Sequence, residues 1–354
     1  MNSLKDIVEP LLNWYAANAR VLPWRDDPTP YRVLVSEIML QQTRVQAALP
    51  YFERFVRELP DIEALATADE PKLLKLWEGL GYYSRARNLQ KAAQAVVKEY
   101  GGVIPRTYGE LIRLPGIGPY TAGAVASIAY GVLLPAVDGN VLRVISRITA
   151  SRANISDPRT KKAVEEDISA ILPQTGVGAF NQSLMELGAG ICLPGEPKCG
   201  VCPVQALCEG YRLGIASRLP VKSPKPKRKT EEKTVFVLIW SKRLALQKFP
   251  EKGLLAGLWG LPAAEGTLSA EQAAQTLAGW GMPPCSLESL PCAKHIFTHV
   301  EWHMCGYLAE LSTQPADAFV WASAEEVGNL YSIPSAFRAY MDSFRSYLQK
   351  SASR

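Results

Sequence analysis

Four cysteines between Cys192 and Cys208 form the densest group of possible metal ligands in the sequence. They follow the spacing Cys192-x6-Cys199-x2-Cys202-x5-Cys208, and prolines at 194, 197 and 203 stiffen the segment. Four thiolates at this density can enclose one metal centre. Zinc and an iron–sulfur cube both accept four thiolates, so the spacing leaves both alternatives open.

The sequence LPGIGPYTAGAVASIAYG, residues 114–131, predicts a tight hairpin between two helices. Gly116 and Gly118 flank one apolar residue, and Pro119 suits the first turn of the following helix. Free backbone N–H groups at such a hairpin and helix start can bind a phosphate without reading the base sequence. The alternative is an ordinary Gly-Pro turn between packed helices.

Two carboxylates are candidates for acid–base chemistry. Asp138 lies between an apolar segment and Gly139, where its simplest role is to cap the helix predicted over residues 140–149. Glu37 lies on a predicted helix between Val35 and Ile38, where burial would raise its pKa. A solvated helix face is the alternative for Glu37.

The hairpin and the following segment PAVDGNVLRV, residues 135–144, resemble the helix–hairpin–helix DNA glycosylase superfamily, which shares a catalytic Asp at this place. The cysteine spacing is similar to that of the 4Fe–4S module that closes the catalytic domain in two of its branches, endonuclease III and the adenine glycosylases. The resemblance therefore implies one 4Fe–4S cluster bound by Cys192, Cys199, Cys202 and Cys208. It is close over residues 20–210 and looser beyond residue 233.

Two further segments are similar to the adenine glycosylase branch, the MutY family. They are WRDDPTPYRVLVSEIMLQQTRV, residues 24–45, which resembles its adenine-pocket segment, and WEGLGYYSRARNL, residues 77–89, which resembles its minor-groove segment. Tyr120 stands where the endonuclease III branch has the lysine that attacks the sugar, and a phenol forms no Schiff base. The resemblance implies a monofunctional glycosylase of base excision repair. Its substrate would be adenine mispaired with 8-oxoguanine or guanine in double-stranded DNA, released by hydrolysis of the N-glycosidic bond.

Removal of adenine requires two carboxylates with different tasks. A protonated acid must donate to N7 of the departing base, and an ionised carboxylate must stabilise or trap the oxocarbenium ion at the sugar. The resemblance implies Glu37 as the acid, which also activates the water, and Asp138 as the ionised partner. It places Tyr120 and Asn140 around Asp138 as further catalytic residues.

The target base must leave the duplex before it can react. The resemblance implies Gln42 and Tyr82 as residues that wedge the duplex, and Trp24, Arg25 and Gln182 as the lining of the adenine pocket. It places Thr43 and Leu80 beside the opposite base. Gly116 and Gly118 would hold the DNA backbone.

Two other functions compete with this interpretation. One is an endonuclease III-like oxidised-pyrimidine glycosylase, against which Tyr120 argues. The other is a non-catalytic DNA-binding protein with a structural metal, which predicts that Glu37 and Asp138 can be replaced without loss of function.

The pattern changes from helix to strand after the basic Pro/Lys segment 217–233. Strand-like stretches at 234–240 and 244–249 flank a turn, and a long alternating stretch covers 292–311. Together with two helical patterns, they predict an α+β domain. FPEKGLLAGLWGLP, residues 249–262, resembles the opening of a Nudix-type fold. Because Glu271 is the only acid where Nudix hydrolases carry a Glu-rich helix, no Mg²⁺ site is expected.

All three histidines, His295, His299 and His303, are four residues apart, which on a helix would suggest a metal site. The segment alternates as a strand, with His299, Glu301 and His303 on one face, which argues against that site. Phe-Thr-His at 297–299 resembles the Phe-Ser-His loop with which the adenine glycosylases recognise 8-oxoguanine. The resemblance implies Thr298 and His299 as substrate-binding residues.

Length and composition agree with two folded domains. The chain has 354 residues, 47% hydrophobic and 21% charged, which argues against disorder, collagen-like repeats and a coiled coil. There are 29 basic and 22 acidic residues through Thr230 but 10 and 12 beyond it, so the positive surplus lies in the part expected to bind DNA. No apolar run approaches 18 residues, so no membrane is expected as a partner.

We therefore expect a multidomain protein. Residues 1–216 would form an all-α helix–hairpin–helix glycosylase domain of eight to eleven helices, with the iron–sulfur module at 192–208. Residues 217–233 would be a linker, and residues 234–350 an α+β Nudix-like domain that recognises 8-oxoguanine. Cys285, Cys292 and Cys305 would be bystanders, because an odd and uneven set of seven cysteines is a poor disulfide framework. A monomer in a reducing, bacterial-type cytoplasm, acting at the nucleoid, is expected.

Overall fold

The computed structural model describes residues 4–224, 227–312 and 319–352. Residues 1–3 of the expected helical domain, Lys225 and Pro226 of the expected linker and residues 313–318 of the expected second domain lie outside the described residues. The chain forms two compact units. The first comprises Met1–Ala68 and Ser84–Pro224, and the second comprises Asp69–Tyr83 and Lys225–Arg354.

Sixteen α-helices occur in the described residues. They are α1 (Val8–Asn18), α2 (Pro23–Asp26), α3 (Pro30–Leu40), α4 (Val45–Glu58), α5 (Ile62–Thr67), α6 (Glu70–Leu76), α7 (Ser84–Tyr100), α8 (Tyr108–Leu111), α9 (Pro119–Tyr130), α10 (Gly139–Ile148), α11 (Pro158–Ile171), α12 (Val177–Gly190), α13 (Glu209–Arg212), α14 (Ala270–Gly279), α15 (Ala324–Asn329) and α16 (Arg338–Ala352). None of these helices is long and apolar enough to cross a membrane.

Seven strands occur in the same part of the chain. They are β1 (Lys229–Trp240), β2 (Arg243–Lys248), β3 (Trp259–Gly260), β4 (Ala263–Glu265), β5 (Pro284–Ile296), β6 (Val300–Leu311) and β7 (Val320–Ala322). Short 3-10 helices cover Leu4–Ile7, Cys199–Val201, Gln205–Leu207, Ala216–Arg218 and Ser335–Phe337.

Residues 4–212, which hold the α-helices of the first unit and α6 of the second, are helical as the sequence predicted, but the helices are more numerous. Thirteen α-helices lie within the described residues 4–212, against the eight to eleven expected. The excess arises because α2, α8 and α13 are single turns of four residues. A single turn is too short to show a 3.6-residue period.

The core of the first unit is centred on α10. Every residue from Val141 to Ile148 is buried, and side chains of α1, α11 and α12 join the same cluster, among them Leu11, Ile168 and Phe180. A helix that is buried on all sides has a position fixed by packing from every direction. The core therefore fixes Asp138, which immediately precedes α10.

Two glycines let the helices that carry the candidate site approach closely. A Cβ atom on Gly123 in α9 would lie 2.2 Å from the carbonyl oxygen of Pro135, and one on Gly188 in α12 would lie 2.7 Å from Asn140 Cβ. Side chains larger than hydrogen would clash at both positions. The absence of a side chain thus brings α9 and α12 against the segment 135–140.

The second unit is built on a seven-stranded mixed sheet within its described residues, with the order β3-β2-β1-β6-β5. β1 runs parallel to β6, from the pair Lys229/Val300 to the pair Ile239/Glu310. β1 pairs with β2 in antiparallel fashion, and β5 and β6 form an antiparallel hairpin. β4 pairs with β1, and β7 pairs with β2.

Both faces of β1 are buried, since alternate side chains point to opposite sides of a strand. Val235 and Val237 face a cluster that contains Phe344 of α16. Phe236 and Leu238 face the opposite cluster, which includes Leu277 of α14. The α+β fold expected for this part of the chain is confirmed.

β1 begins at Lys229, inside the segment expected to be a linker. Its first residues pair in register with β6, and Trp302 Nε1 donates a hydrogen bond of 3.1 Å to Glu231 Oε2. The non-strand connection is therefore shorter than 217–233. The reason is pairing with a strand some 70 residues later, which the charged sequence around Glu231 does not reveal.

Residues 69–83 were expected in the helical domain, but they belong to the second unit. Lys75 Nζ donates to the carbonyl oxygens of Val327 (3.1 Å) and Tyr331 (3.0 Å). Glu78 Oε1 accepts from the Ile333 amide at 2.8 Å. These long-range bonds hold α6 and the turn after it against α15 and the loop that follows it.

Cys292 and Cys305 form a disulfide between β5 and β6, with their Cα atoms 4.1 Å apart. The expectation that both are bystanders is therefore wrong. They lie opposite each other because β5 carries a register shift between Leu290 and Ala293, and sequence spacing alone does not reveal such a bulge. Cys285 is free and exposed.

Candidate active site

Glu37 is a buried carboxylic acid on α3 with 6% of its surface exposed. The Tyr120 hydroxyl on α9 donates a hydrogen bond of 2.6 Å to Glu37 Oε2. Burial raises the pKa of Glu37 to about 7, and the negative charge of Asp138 raises this pKa further. The Tyr120 hydrogen bond and the positive charge of Arg25 act in the opposite direction and lower the pKa. A carboxyl group with this pKa can both hold and release a proton near neutral pH.

Asp138 caps α10 and is held by three donors. Its Oδ1 accepts from the backbone amides of Asn140 and Val141, both at 2.8 Å, and its Oδ2 accepts from Asn140 Nδ2 at 2.7 Å. Burial raises the pKa of Asp138, and these hydrogen bonds oppose that rise. The capping role expected from the sequence is thus real, and the cap also fixes the carboxylate in one orientation.

Tyr120 stands close to both carboxylates. Burial raises the pKa of its phenol well above the ordinary range, and the negative charges of Glu37 and Asp138 raise it further. The phenol is therefore a neutral hydrogen-bond donor at any physiological pH. Glu37, Tyr120, Asp138 and Asn140, which the sequence proposed as one catalytic group, lie together.

Arg143, which the sequence analysis missed, extends this group through α10. Its Nη2 donates to Asn140 Oδ1 at 2.9 Å and to the Gly188 carbonyl at 2.8 Å, and its Nε donates to the Cys192 carbonyl at 2.8 Å. A continuous set of hydrogen bonds therefore runs from the Asp138 carboxylate to the first cysteine. Two arginines, Arg143 and Arg147, among the apolar residues of this helix were the available sign in the sequence.

A polar cluster lies beside α2 and α12. Arg25 Nε donates to Gln182 Oε1 at 3.1 Å, and Arg25 Nη2 donates to Glu186 Oε2 at 2.7 Å. Arg20 also pairs with both oxygens of Glu186. The sequence predicted Arg25 and Gln182 but missed Glu186, although Gln182 and Glu186 are four apart and share one face of a helix.

Trp24 lies in the core beside this cluster. Its side chain is 5% exposed, and its ring meets Phe52 edge-on with centroids 4.9 Å apart. Trp24 is therefore packed as a core residue, and its part in the adenine pocket stays a prediction. Its neighbour Arg25 carries the polar contacts.

The two expected wedge residues, Gln42 and Tyr82, both have left-handed backbone conformations, with φ of 59° and 48°. Such values are uncommon for residues with side chains and concentrate at functional sites. Both side chains are exposed. Thr43 follows Gln42 in the first unit, whereas Leu80, which is 8% exposed, and Tyr82 belong to the second unit.

Thr298 and His299 lie at the exposed tip of the turn between β5 and β6. The Phe297 amide donates to the Val300 carbonyl at 2.9 Å and closes this turn. The Tyr82 hydroxyl lies 3.1 Å from Thr298 Oγ1. His299 is thus a turn residue, and its expected place on a strand face with His303 is wrong because the strand begins only at Val300.

In the hairpin between α8 and α9, Gly116 is exposed and Gly118 is half-buried. Gly116 has a φ of 76°, and a Cβ atom there would lie 2.6 Å from Asn88 Cβ. Gly118 is the residue immediately before α9, and Pro119 is the first helical residue. The predicted helix–hairpin–helix geometry is present, with the start of α9 at the surface beside Gly118.

The four clustered cysteines line one pocket, together with Val144 and Arg147 among others. Arg147 Nη1 donates to Cys192 Sγ at 3.3 Å. Burial raises the pKa of the Cys202 thiol to about 11. Among the described residues, no three His, Cys, Asp or Glu side chains are arranged to hold a single metal ion. Four thiols around one pocket are a ligand set that both a zinc ion and an iron–sulfur cube accept.

Comparison with sequence families identifies both parts of the chain. Residues 35–174 match the profile described as HhH-GPD superfamily base excision DNA repair protein, and residues 234–343 match the NUDIX domain profile. An adenine DNA glycosylase of Mus musculus is 34% identical, with the alignment covering 94% of this chain and 77% of the mouse protein. One of Buchnera aphidicola subsp. Schizaphis graminum is 38% identical, covering 71% and 73% respectively.

Solved structures resemble the helical part. A thermostable thymine-DNA glycosylase is 30% identical with a TM-score of 0.54, over 59% of this chain and 96% of that one. A trapped endonuclease III–DNA covalent intermediate is 25% identical with a TM-score of 0.51, over 60% and 98% respectively. The chain thus contains a helical part similar to endonuclease III, followed by a Nudix-like domain.

Proposed function

The chain belongs to the adenine DNA glycosylase family, and we propose that it removes adenine mispaired with 8-oxoguanine or guanine, with Glu37 and Asp138 as its catalytic carboxylates. It is a monofunctional DNA N-glycosylase, a hydrolase of base excision repair. One observation carries the proposed mechanism: Tyr120 donates to a Glu37 whose pKa is about 7, beside an Asp138 fixed by three donors.

Glu37 acts as the general acid. Adenine is a poor leaving group as an anion, so proton transfer from Glu37 to N7 lets the base depart neutral as the bond between N9 and C1′ breaks. The electron pair of that bond goes to the base. A pKa of about 7 keeps a large fraction of Glu37 protonated at neutral pH.

Asp138 stabilises the positive charge that then develops on the sugar. Its three hydrogen bonds favour the ionised carboxylate and hold it without further reorganisation. Glu37, now ionised, accepts a proton from the attacking water as the water oxygen bonds to C1′. This step regenerates the acid, and no amine is present at Tyr120 to divert the sugar into a Schiff base.

The remaining predicted residues handle the DNA, which is the partner of this enzyme class. Trp24, Arg25 and Gln182 line the adenine pocket, and Glu186 holds Arg25 there. Gln42 and Tyr82 wedge the duplex, Thr43, Leu80, Thr298 and His299 read the opposite base, and the hairpin at Gly116 and Gly118 holds a phosphate. Action on nucleoid DNA in the cytoplasm is part of the same proposal.

Cys192, Cys199, Cys202 and Cys208 hold a 4Fe–4S cluster. One pocket lined by all four thiols supports this proposal, because four thiolates are the ligand set of such a cluster. When bound, the cluster ties the segment 192–208 into one metal-crosslinked loop. Arg143 and Arg147 then hold that loop against α10 through Cys192, Leu193 and Gly195.

One assay tests the function. The protein is incubated with a duplex containing adenine opposite 8-oxoguanine, and strand scission is compared with and without alkali. Adenine release that requires alkali for scission supports the proposal, and an absence of release would overturn it. A duplex with cytosine opposite 8-oxoguanine is the control, since the pocket must reject it. Purified protein with broad absorbance in the blue supports the cluster, whereas colourless protein with one zinc contradicts it.

A further inference from the structure

Arg85, which lies in the segment 77–89 but has no role in the sequence analysis or the proposed chemistry, caps the carboxyl end of α3. Its side chain lies in the first turn of α7 and is 9% exposed. Nη1 donates to the carbonyl oxygens of Ile38 (2.8 Å), Met39 (2.9 Å) and Gln41 (2.6 Å). Carbonyl groups at the end of a helix lack partners within it, and a cation there is favoured by the helix dipole.

The same guanidinium reaches past the end of the helix. Its Nη2 donates to Thr43 Oγ1 at 3.4 Å. Arg85 therefore contacts the residues on both sides of Gln42. Gln42 itself is exposed and has a φ of 59°, which costs free energy for a residue with a side chain. A strained residue of this kind persists only where its surroundings fix it, and Arg85 provides that fixation.

We propose that Arg85 is a positioning residue for base extrusion, because it holds Gln42 and Thr43 in the conformation that occupies the duplex when adenine leaves. This inference rests on the proposed function, in which Gln42 is a wedge. Arginine suits this role because one arm of its planar fork, Nη1, contacts the carbonyl groups while the other, Nη2, reaches Thr43. A lysine ammonium is a single point donor and cannot span both places. Arg85 touches neither the base nor the sugar in this role.

The test measures extrusion separately from chemistry. Glu37→Gln protein, in which adenine cannot be protonated, is bound to a duplex with 2-aminopurine opposite 8-oxoguanine. The fluorescence of 2-aminopurine rises when the base unstacks. Arg85→Lys is then added to this background, with Gln42→Ala as the positive control and Lys98→Met as the matched control. Lys98 lies in the last turn of the same helix and is exposed, so this variant also loses one cation.

We expect Arg85→Lys to lower the extruded fraction about tenfold or more, since charged hydrogen bonds are lost from the wedge. The DNA affinity of Arg85→Lys should differ from that of Lys98→Met by less than about threefold. Gln42→Ala should lose as much extrusion as Arg85→Lys. Adding Arg85→Lys to the double variant Glu37→Gln, Gln42→Ala should cause no further loss of extrusion. The reason is that Arg85→Lys and Gln42→Ala both act through one wedge.

Three results would overturn the inference. The first is an unchanged rise of 2-aminopurine fluorescence in Arg85→Lys, and the second is additive losses of extrusion when Arg85→Lys and Gln42→Ala are combined. The third is the absence of a thermal unfolding transition in Arg85→Lys, which would make Arg85 a core residue only. Failure of the wild-type protein to release adenine is a different result. It contradicts the proposed function, while the fluorescence of the bound duplex still reports on Arg85.

Discussion

The Tyr120 hydroxyl donates a hydrogen bond of 2.6 Å to Glu37 Oε2 and so joins α9 to α3 at the candidate active site. Two opposing influences meet at this contact. Burial raises the pKa of Glu37 to about 7, and the Tyr120 hydrogen bond stabilises the ionised form and opposes that rise. Tyr120 therefore sets how much of the acid is protonated at a given pH.

Tyr120→Phe should move the pH profile of adenine release. Without the phenol, the pKa of Glu37 rises further, because only the ionised form loses a hydrogen bond that it needs. The basic limb, above which the general acid is deprotonated, should shift to higher pH in single-turnover rates measured from about pH 5 to 9. An unchanged basic limb, or one moved to lower pH, would show that Tyr120 does not tune Glu37.

Glu37→Gln should abolish catalysis yet stabilise the protein at high pH. The pKa of Glu37 is about 7 in the folded protein against an ordinary value of 4.5. Its contribution to stability is therefore full below about pH 4.5 and is lost as pH rises through 7. Removing the ionisable group should leave stability similar near pH 5 and raise it by up to about 3 kcal/mol at pH 8.

Urea unfolding at the two pH values, together with adenine release, checks this prediction. The rate should fall about 100- to 10,000-fold, as for loss of a general acid. Glu166→Gln is the matched control, because the Glu166 side chain is 69% exposed and its removal should give no pH-dependent difference. A Glu37→Gln variant that is less stable than wild type at pH 8 would contradict the buried-acid account.

The parts of the site that the sequence predicted are those in which local chemistry requires a residue type. Gly116 needs a left-handed backbone and Asp138 caps a helix, and both constraints are visible in a few neighbouring residues. The sequence analysis did not identify Arg143 and Glu186, because they have hydrogen-bond partners that lie far away in the chain. Arg143 donates to the Cys192 carbonyl oxygen, 49 residues later. The sequence around a buried charged residue does not show which distant group that residue contacts.

The second unit shows the same limit at the level of the fold. A short continuous apolar run predicted the strand around Val235, because burial on both faces of β1 is visible as consecutive apolar residues. The assignment of Lys75 to this unit depends on carbonyl groups of Val327 and Tyr331, more than 250 residues away. The register that brings Cys292 opposite Cys305 likewise depends on a bulge set by pairing.

Asp138→Asn and Asp138→Ala should separate catalysis from helix capping. Asparagine caps a helix about as well as aspartate, so Asp138→Asn should keep its stability while losing about 100-fold or more in rate, because the negative charge is gone. Asp138→Ala loses the cap as well, and its free energy of unfolding should fall by about 1 kcal/mol. Thermal unfolding and single-turnover rates measure the two effects. Wild-type turnover in Asp138→Asn would remove this residue from the mechanism.

Glu186→Gln should weaken the protein with a pH dependence opposite in sign to that of Glu37→Gln. Burial alone would raise the pKa of Glu186, but hydrogen bonds and charges from Arg20 and Arg25 outweigh it and lower the pKa. Its stabilising contribution is therefore present above the ordinary value and is lost as pH falls through the folded pKa. Arg25 is 14% exposed and would be left without its charge partner.

The expected loss for Glu186→Gln at pH 7 is about 2 kcal/mol, reduced from a fully buried pair because the Arg20 side chain is 34% exposed. Adenine release should slow as well, since Arg25 loses the group that orients it beside Gln182. The exposed pair Lys162–Glu166 supplies the control, and Glu166→Gln should change stability by less than about 0.5 kcal/mol. Equal losses from the two substitutions, or a Glu186→Gln deficit that grows as pH falls, would contradict the buried ion-pair arrangement around Arg25.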